Sequence, residues 1–216
     1  MGKGNTAMIL APFIQGMIDA GCEVELLYAS QLKAKPCSCG WLYCWNEKPG
    51  ECCIKDNMQQ VYPRLREADM VILATPVYIP LPGDLQNFIN RLVCLLDPVL
   101  AFHAGRTRAI FRKGVGIRRF VLVSSGGWWE IENFDTVVRI VAELARDASV
   151  EFSGAVLRPH VGLMKEQGEL TTEGHAVLQA VQRSGYELVT EGAMSKETLA
   201  SISRPLISQE EFWRRE

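Results

Sequence analysis

Two stretches of the chain, MVILATPVY from Met70 and RFVLVSSGG from Arg119 to Gly127, are almost continuously apolar and rich in β-branched residues. A strand with one wet face alternates apolar and polar residues, whereas runs like these belong to strands buried on both faces, as in a parallel sheet covered by helices. VEFSGAVL, from Val150 to Leu157, is a third strand of the same general kind, and a shorter strand is predicted over residues 23–28. Between the strands the periodicity changes to that of helices. Leu85, Phe88, Ile89, Leu92, Val93 and Leu96 mark one helical face, and further helices are expected over 5–20, 58–68, 133–148 and 171–184. Asn5 is the expected N-cap of the first, Pro12 should bend it or delay its start, and Gly21 ends it. Gly185 is the expected stop of the last helix. Strands alternating with helices indicate a doubly wound α/β fold.

The length, 216 residues, suits one domain over 1–216, with a Cys-rich loop at 36–57 and a tail from about 195 that has weak helical character. A net charge of -2 gives no reason to expect nucleic acid or an anionic membrane as a partner. No apolar run reaches the roughly 20 residues of a bilayer span, and the first residues do not form a signal peptide, so the chain reads as cytosolic. In that compartment its seven cysteines are expected to be reduced, metal-bound or catalytic.

In open parallel sheets ligands bind beyond the carboxyl ends of the strands. There TPVYIPLPG joins an aromatic ring to a stiff backbone, and SSGGWWE joins hydroxyls and backbone amides to two tryptophans. Such loops suit an aromatic cofactor with a polar edge, its faces covered by Tyr78 and Trp128. GKGNT at the start of the first helix adds a phosphate site, since a helix N-terminus presents unpaired N–H groups and a positive dipole end. The Gly-Lys-Ser/Thr order of a Walker loop is absent.

GKGNT, then PC followed by CWNEKPGECCIKDNM, then ADMVILATPVY, FINR and SSGG resemble the flavodoxin-like NADPH-dependent FMN reductases, and most closely their iron-sulfur flavoprotein branch. The resemblance implies a sheet of order 2-1-3-4-5 with helices on both faces, and a bound FMN. It implies that Lys3, Gly4, Asn5 and Thr6 hold the phosphate, and that Thr75, Pro76, Val77 and Tyr78 with Ser125, Gly126, Gly127 and Trp128 hold the ring. Relatives reach the phosphate loop through a first strand ending in Gly-Ser-Pro-Arg, which this chain lacks. The expectation is therefore that Met1 is not the natural start or that the chain is a fragment, with a rearranged sheet as the alternative; strand 23–28 would pair directly with 70–75 or leave backbone groups unpaired.

The branch's compact Cys-X2-Cys-X2-Cys motif, with a fourth Cys further on, is altered here to Cys37, Cys39, Cys44, Cys52 and Cys53. Cys37, Cys44 and Cys52 align with it, and Cys39, or Cys53 in its place, is the candidate fourth ligand. Four thiolates would hold a four-iron four-sulfur cluster or zinc; the third reading is a cap of reduced cysteines at a subunit interface, with Trp41, Tyr43 and Trp45 beside it. Homodimers or homotetramers are typical of the family.

His103, His160 and His175 are isolated, with surface or hydrogen-bonding roles expected. Arg91 reads as an ion-pair partner on a helix surface, Cys22 and Cys94 as packing residues, and one of Trp128 and Trp129 as core. Catalysis in such a protein belongs to the flavin, so no catalytic side chain is assigned. The function expected is an FMN oxidoreductase or electron carrier. It would move electrons from NAD(P)H or a ferredoxin-like donor to a quinone, flavin or other small-molecule or protein acceptor, with or without a cluster. The alternative is a non-enzymatic zinc-binding or redox-sensing module.

Overall fold

The structure is a computed structural model that describes residues 4–40, 43–103 and 105–215. Its elements in chain order are α1 (Asn5–Asp19), the single turns α2 (Ala29–Leu32) and α3 (Tyr43–Asn46), α4 (Met58–Glu67), β1 (Met70–Pro76), α5 (Gly83–Arg91), β2 (Leu96–His103), β3 (Arg106–Phe111), β4 (Arg119–Ser125) and α6 (Asp135–Asp147). They continue with β5 (Glu151–Arg158), the two-residue strands β6 (Lys165–Glu166) and β7 (Glu169–Leu170), α7 (Thr172–Thr190), α8 (Lys196–Ser203) and α9 (Gln209–Arg215). Among the described residues no helix is long and apolar enough to cross a membrane.

β1, β4 and β5 form the parallel sheet in that order. Successive side chains of a strand point to opposite faces, and the core is divided accordingly. Val71, Leu73, Phe120 and Leu122 pack with α4, α5 and α6, while Val121, Val123 and Val156 pack with α1 and α7. β2 and β3 form a separate antiparallel arm. The order β1-β4-β5 corresponds to positions 3-4-5 of the flavodoxin sheet, with helices on both faces.

Three sequence expectations change. Residues 23–28 form no strand, yet they keep a strand's alternation: Val24 and Leu26 pack toward the α1–α7 side and Leu27 toward the other. Among the described residues no ladder joins this segment to β1, which pairs with β4 alone and stands at the edge of the sheet. Helix α1 is continuous through Pro12, and its N-cap is Gly4 rather than Asn5, without a side-chain cap bond. Helix α7 runs straight through Gly185 instead of stopping there. Gly185 is a contact point: a Cβ at that position would lie 2.1 Å from the Phe13 carbonyl oxygen of α1, and one at Gly16 would lie 1.8 Å from the Gln182 oxygen of α7. The two helices meet backbone to backbone through these paired glycines.

Candidate functional site

The carboxyl ends of β1 and β4 stand level, with Thr75 opposite Ser124 and Pro76 opposite Ser125. Ser124 Oγ donates to the Thr75 carbonyl at 2.8 Å, and the Val77 N–H donates to the Ser125 carbonyl at 2.9 Å, so the two loops leave the sheet as one unit. The N-terminus of α1 comes to the same edge. Thr6 Oγ1 lies 2.9 Å from Ser125 Oγ, joining the GKGNT segment to the second loop. No acidic residue occupies the first turn of α1, and no side chain caps it. Its leading N–H groups and positive dipole end are therefore free for an anion. Lys3 lies outside the described residues.

Beyond this edge two large rings stand in solvent, Tyr78 at 64% and Trp128 at 70% exposure. Trp129 turns the other way and stacks on His160, with centroids 4.8 Å apart, and tilts against Phe212 of α9. Of the tryptophan pair, Trp128 is the exposed ring and Trp129 the packed one. Gly126 approaches the Phe134 ring, where a Cβ would be 3.1 Å away, and its N–H is already used by the Arg158 carbonyl. Gly127 is exposed, with no atom within 4 Å of where a Cβ would stand. Hydroxyls, a free helix terminus and two uncovered aromatic faces have the chemistry that a phosphate-bearing planar cofactor such as FMN needs.

Sequence reasoning missed the support beneath the second loop. Arg158, at the end of β5, is fully buried and donates through one nitrogen to the carbonyls of Ile202 and Arg204 at 2.8 and 2.9 Å, at the C-terminal end of α8. A cation suits a helix C-terminus because the dipole there is negative. A charged residue ending a buried strand was the available signal. Burial, and then the charge of Arg204, lower the Arg158 guanidinium to about 10. His160 is not a surface residue: it is 1% exposed, and its ring nitrogens face the backbone of Trp129 and Arg204 without a well-formed hydrogen bond to either.

Burial, with a contribution from the Arg158 charge, pushes the His160 imidazole down to about 4. In the unfolded chain it takes up a proton near 6.5. Between those values the unfolded state binds more protons, so stability falls as pH drops through 6.5 and levels off below about 4. The expected loss is on the order of 3 kcal/mol. Urea midpoints measured from pH 7.5 to 4.5 should show this slope in the wild type and a flatter one in His160→Phe.

The cysteine loop is closed by two devices. Cys39 and Cys53 form a disulfide, leaving Cys37 exposed, Cys44 buried and Cys52 partly buried as free thiols. Below it, Arg91 and Asp56 form a buried bidentate pair at 2.6 and 3.1 Å. Arg91 also donates to the carbonyls of Lys35 and Ile54, and Asp56 accepts the N–H groups of Lys35 and Met58. Arg91 is thus a buried clasp and not the surface ion-pair partner expected. Trp45 donates Nε1 to the Val93 carbonyl and packs against the core, while Trp41 lies outside the described residues.

Burial raises the Cys44 thiol, and the nearby Cys52 and Cys37 sulfurs raise it further. Burial likewise pushes Cys94, on the helical turn after α5, up to about 11. Among the described residues no three His, Cys, Asp or Glu side chains are placed to hold a metal ion. With two of the five loop sulfurs joined to each other, the donor set does not fit a cluster or zinc in this form.

The family model for NADPH-dependent FMN reductase matches residues 2–128, more than half of the chain. An iron-sulfur flavoprotein of Archaeoglobus fulgidus is 32% identical over 92 residues, a match covering 42% of this chain and 40% of that protein. The chain thus matches well under half the length of this curated relative. Among solved structures, an NAD(P)H:quinone oxidoreductase from Methanothermobacter marburgensis superposes with a TM-score of 0.53 at 16% identity, covering 87% of this chain and 90% of that one. An FMN-dependent NADH-azoreductase from Bacillus anthracis, solved with FMN, gives 0.53 at 12% identity, covering 88% and 89%. At these identities the two structures speak for the flavodoxin-like fold alone.

Proposed function

Because the chain belongs to the NADPH-dependent FMN reductase family, we propose that it is an FMN-dependent oxidoreductase that draws electrons from NAD(P)H and delivers them to a small acceptor such as a quinone or a flavin. The observation that carries this reading is the meeting of the uncapped α1 N-terminus with Thr6, Ser125 and Val77 beneath the exposed rings of Tyr78 and Trp128. When bound, FMN supplies the electron-accepting and electron-donating ring.

The chain's own residues bind and orient it. Gly4, Asn5 and Thr6 offer the helix terminus and a hydroxyl to the phosphate, with Lys3 as a further cation. Thr75, Pro76, Val77 and Tyr78 form one wall and Ser125, Gly126, Gly127 and Trp128 the other. The hydrogen bonds that lock Val77 to Ser125 and Gly126 to Arg158 keep both walls fixed before the cofactor arrives, which lowers the ordering cost of binding. Cys37, Cys39, Cys44, Cys52 and Cys53 are given no part in the electron path. A cytosolic homodimer or homotetramer accompanies the reading, following the family's habit.

Titration of the protein with FMN, followed by tryptophan fluorescence and by the flavin bands, tests the proposal. Thr6→Val/Ser125→Ala is expected to weaken binding by about 10- to 100-fold, the loss of one or two hydrogen bonds to a charged group. Trp128→Ala should remove much of the quenching. Protein that is colourless, takes up no added FMN and holds stoichiometric zinc would favour the metal-binding module instead.

A further inference from the structure

We propose that the Cys39–Cys53 bridge is a reversible dithiol–disulfide centre, distinct from the flavin site, that withholds two of the five sulfurs of the cysteine loop until a dithiol reductant opens it. Three observations carry this.

The first is access. Cys53 is exposed and Cys39 half-buried, so an incoming thiolate can reach the sulfur, and exposed disulfides are the ones that exchange. The second is the company the bridge keeps. Free Cys37 lies two residues from Cys39, free Cys52 adjoins Cys53, and the Cys37 and Cys52 sulfurs are close enough to Cys44 to raise its thiol. Opening the bridge therefore adds two thiols to a region that already has three.

The third is redundancy. The limbs that the bridge joins, residues 35–39 and 53–56, are already held together by the buried Arg91–Asp56 pair, by the Lys35 N–H on Asp56 and by the Lys35 and Ile54 carbonyls on Arg91. A purely structural disulfide at this point would repeat a constraint the chain already has. The clasp lets the loop survive reduction in place.

The chemistry balances with a dithiol as reductant. One of its thiolates attacks Cys53 Sγ, the bond to Cys39 breaks, and Cys39 leaves as a thiolate that takes up a proton. The second thiol of the reductant then displaces Cys53 in the same way. Two electrons and two protons end on Cys39 and Cys53, and the dithiol becomes a cyclic disulfide. The inference does not rest on the flavin reading, and FMN content measured on the same samples keeps the two apart.

Thiols are counted in denaturant on protein purified without reductant, then after dithiothreitol and anaerobic desalting. The expected counts are five and seven per chain. Cobalt(II), added to the native protein in each state, should develop thiolate-to-metal absorbance in the reduced form and little in the oxidised one. In the Cys39→Ser/Cys53→Ser variant neither the thiol count nor the cobalt spectrum should respond to dithiothreitol. Seven thiols in unreduced protein after incubation with oxidised glutathione would overturn the proposal. So would identical cobalt spectra before and after reduction, or a loss of far-ultraviolet dichroism on reduction, which would make the bridge a structural one.

Discussion

Arg91→Met is expected to lower folding stability by about 3–5 kcal/mol, read from urea denaturation. The Arg91 side chain has no exposed surface and that of Asp56 only 5%. Removing the cation leaves a carboxylate that still accepts the N–H groups of Lys35 and Met58 but can no longer reach water. Asp56→Asn strands the guanidinium in the same way. The double variant Arg91→Met/Asp56→Asn should lose less than the sum, because neither charge is then left alone; the shortfall measures the pair. Burial works to raise the Asp56 carboxyl, but the bonds from Arg91 and from the Lys35 N–H outweigh it and hold it below its ordinary 3.8. The stabilisation is therefore complete above the unfolded value and is lost as pH falls through the depressed folded one. It should disappear at a lower pH than the loss that His160 produces.

Gly16→Ala and Gly185→Ala are each expected to cost about 3 kcal/mol, the upper range for overpacking. The new methyl group would stand 1.8 Å from the Gln182 oxygen in one case and 2.1 Å from the Phe13 oxygen in the other. Both obstacles are backbone inside helices and cannot swing aside. Helix α1 must lift from α7, and once it has lifted the second substitution costs less, so the pair should be sub-additive. Because α1 carries the free N–H groups and Thr6, the Thr6–Ser125 contact at 2.9 Å should also break. FMN affinity is expected to fall about tenfold, the equivalent of one hydrogen bond. Gly83→Ala, where nothing lies within 4 Å of the added atom, is the control and should change neither quantity.

What the sequence discloses here follows from what is local. Buried strands announce themselves because every residue of MVILA and FVLV is apolar, and the loops after them must then share one edge of the sheet. Relations between distant residues are less visible. Residues 23–28 alternate like a strand, but a strand is defined by its neighbour, and no single run contains that information. Gly185 looks like a stop because glycine ends helices at open positions; only the presence of Phe13 across the gap gives it another use. Arg91 reads from the sequence as a surface ion-pair residue although it sits three residues after buried Phe88, because its partner lies 35 residues earlier in a loop without periodicity. Likewise, spacing could not say that Cys39 would meet Cys53, since five cysteines in 17 residues permit many pairings.

Arg158 and Glu143 neutralise charge in opposite ways. Glu143 on α6 is approached by Arg106, Arg108, Arg139 and Arg146, three of them more than half exposed, and such pairs weaken as salt screens them. Arg158 is held through one nitrogen by the carbonyls that end α8, sealed from solvent, where counterions do not reach, while its Nε and its other terminal nitrogen are buried without a partner. Rising ionic strength should therefore loosen the β2–β3 arm from α6 while the end of α8 stays fastened to β5. The chain carries one attachment that responds to its ionic surroundings and one that ignores them.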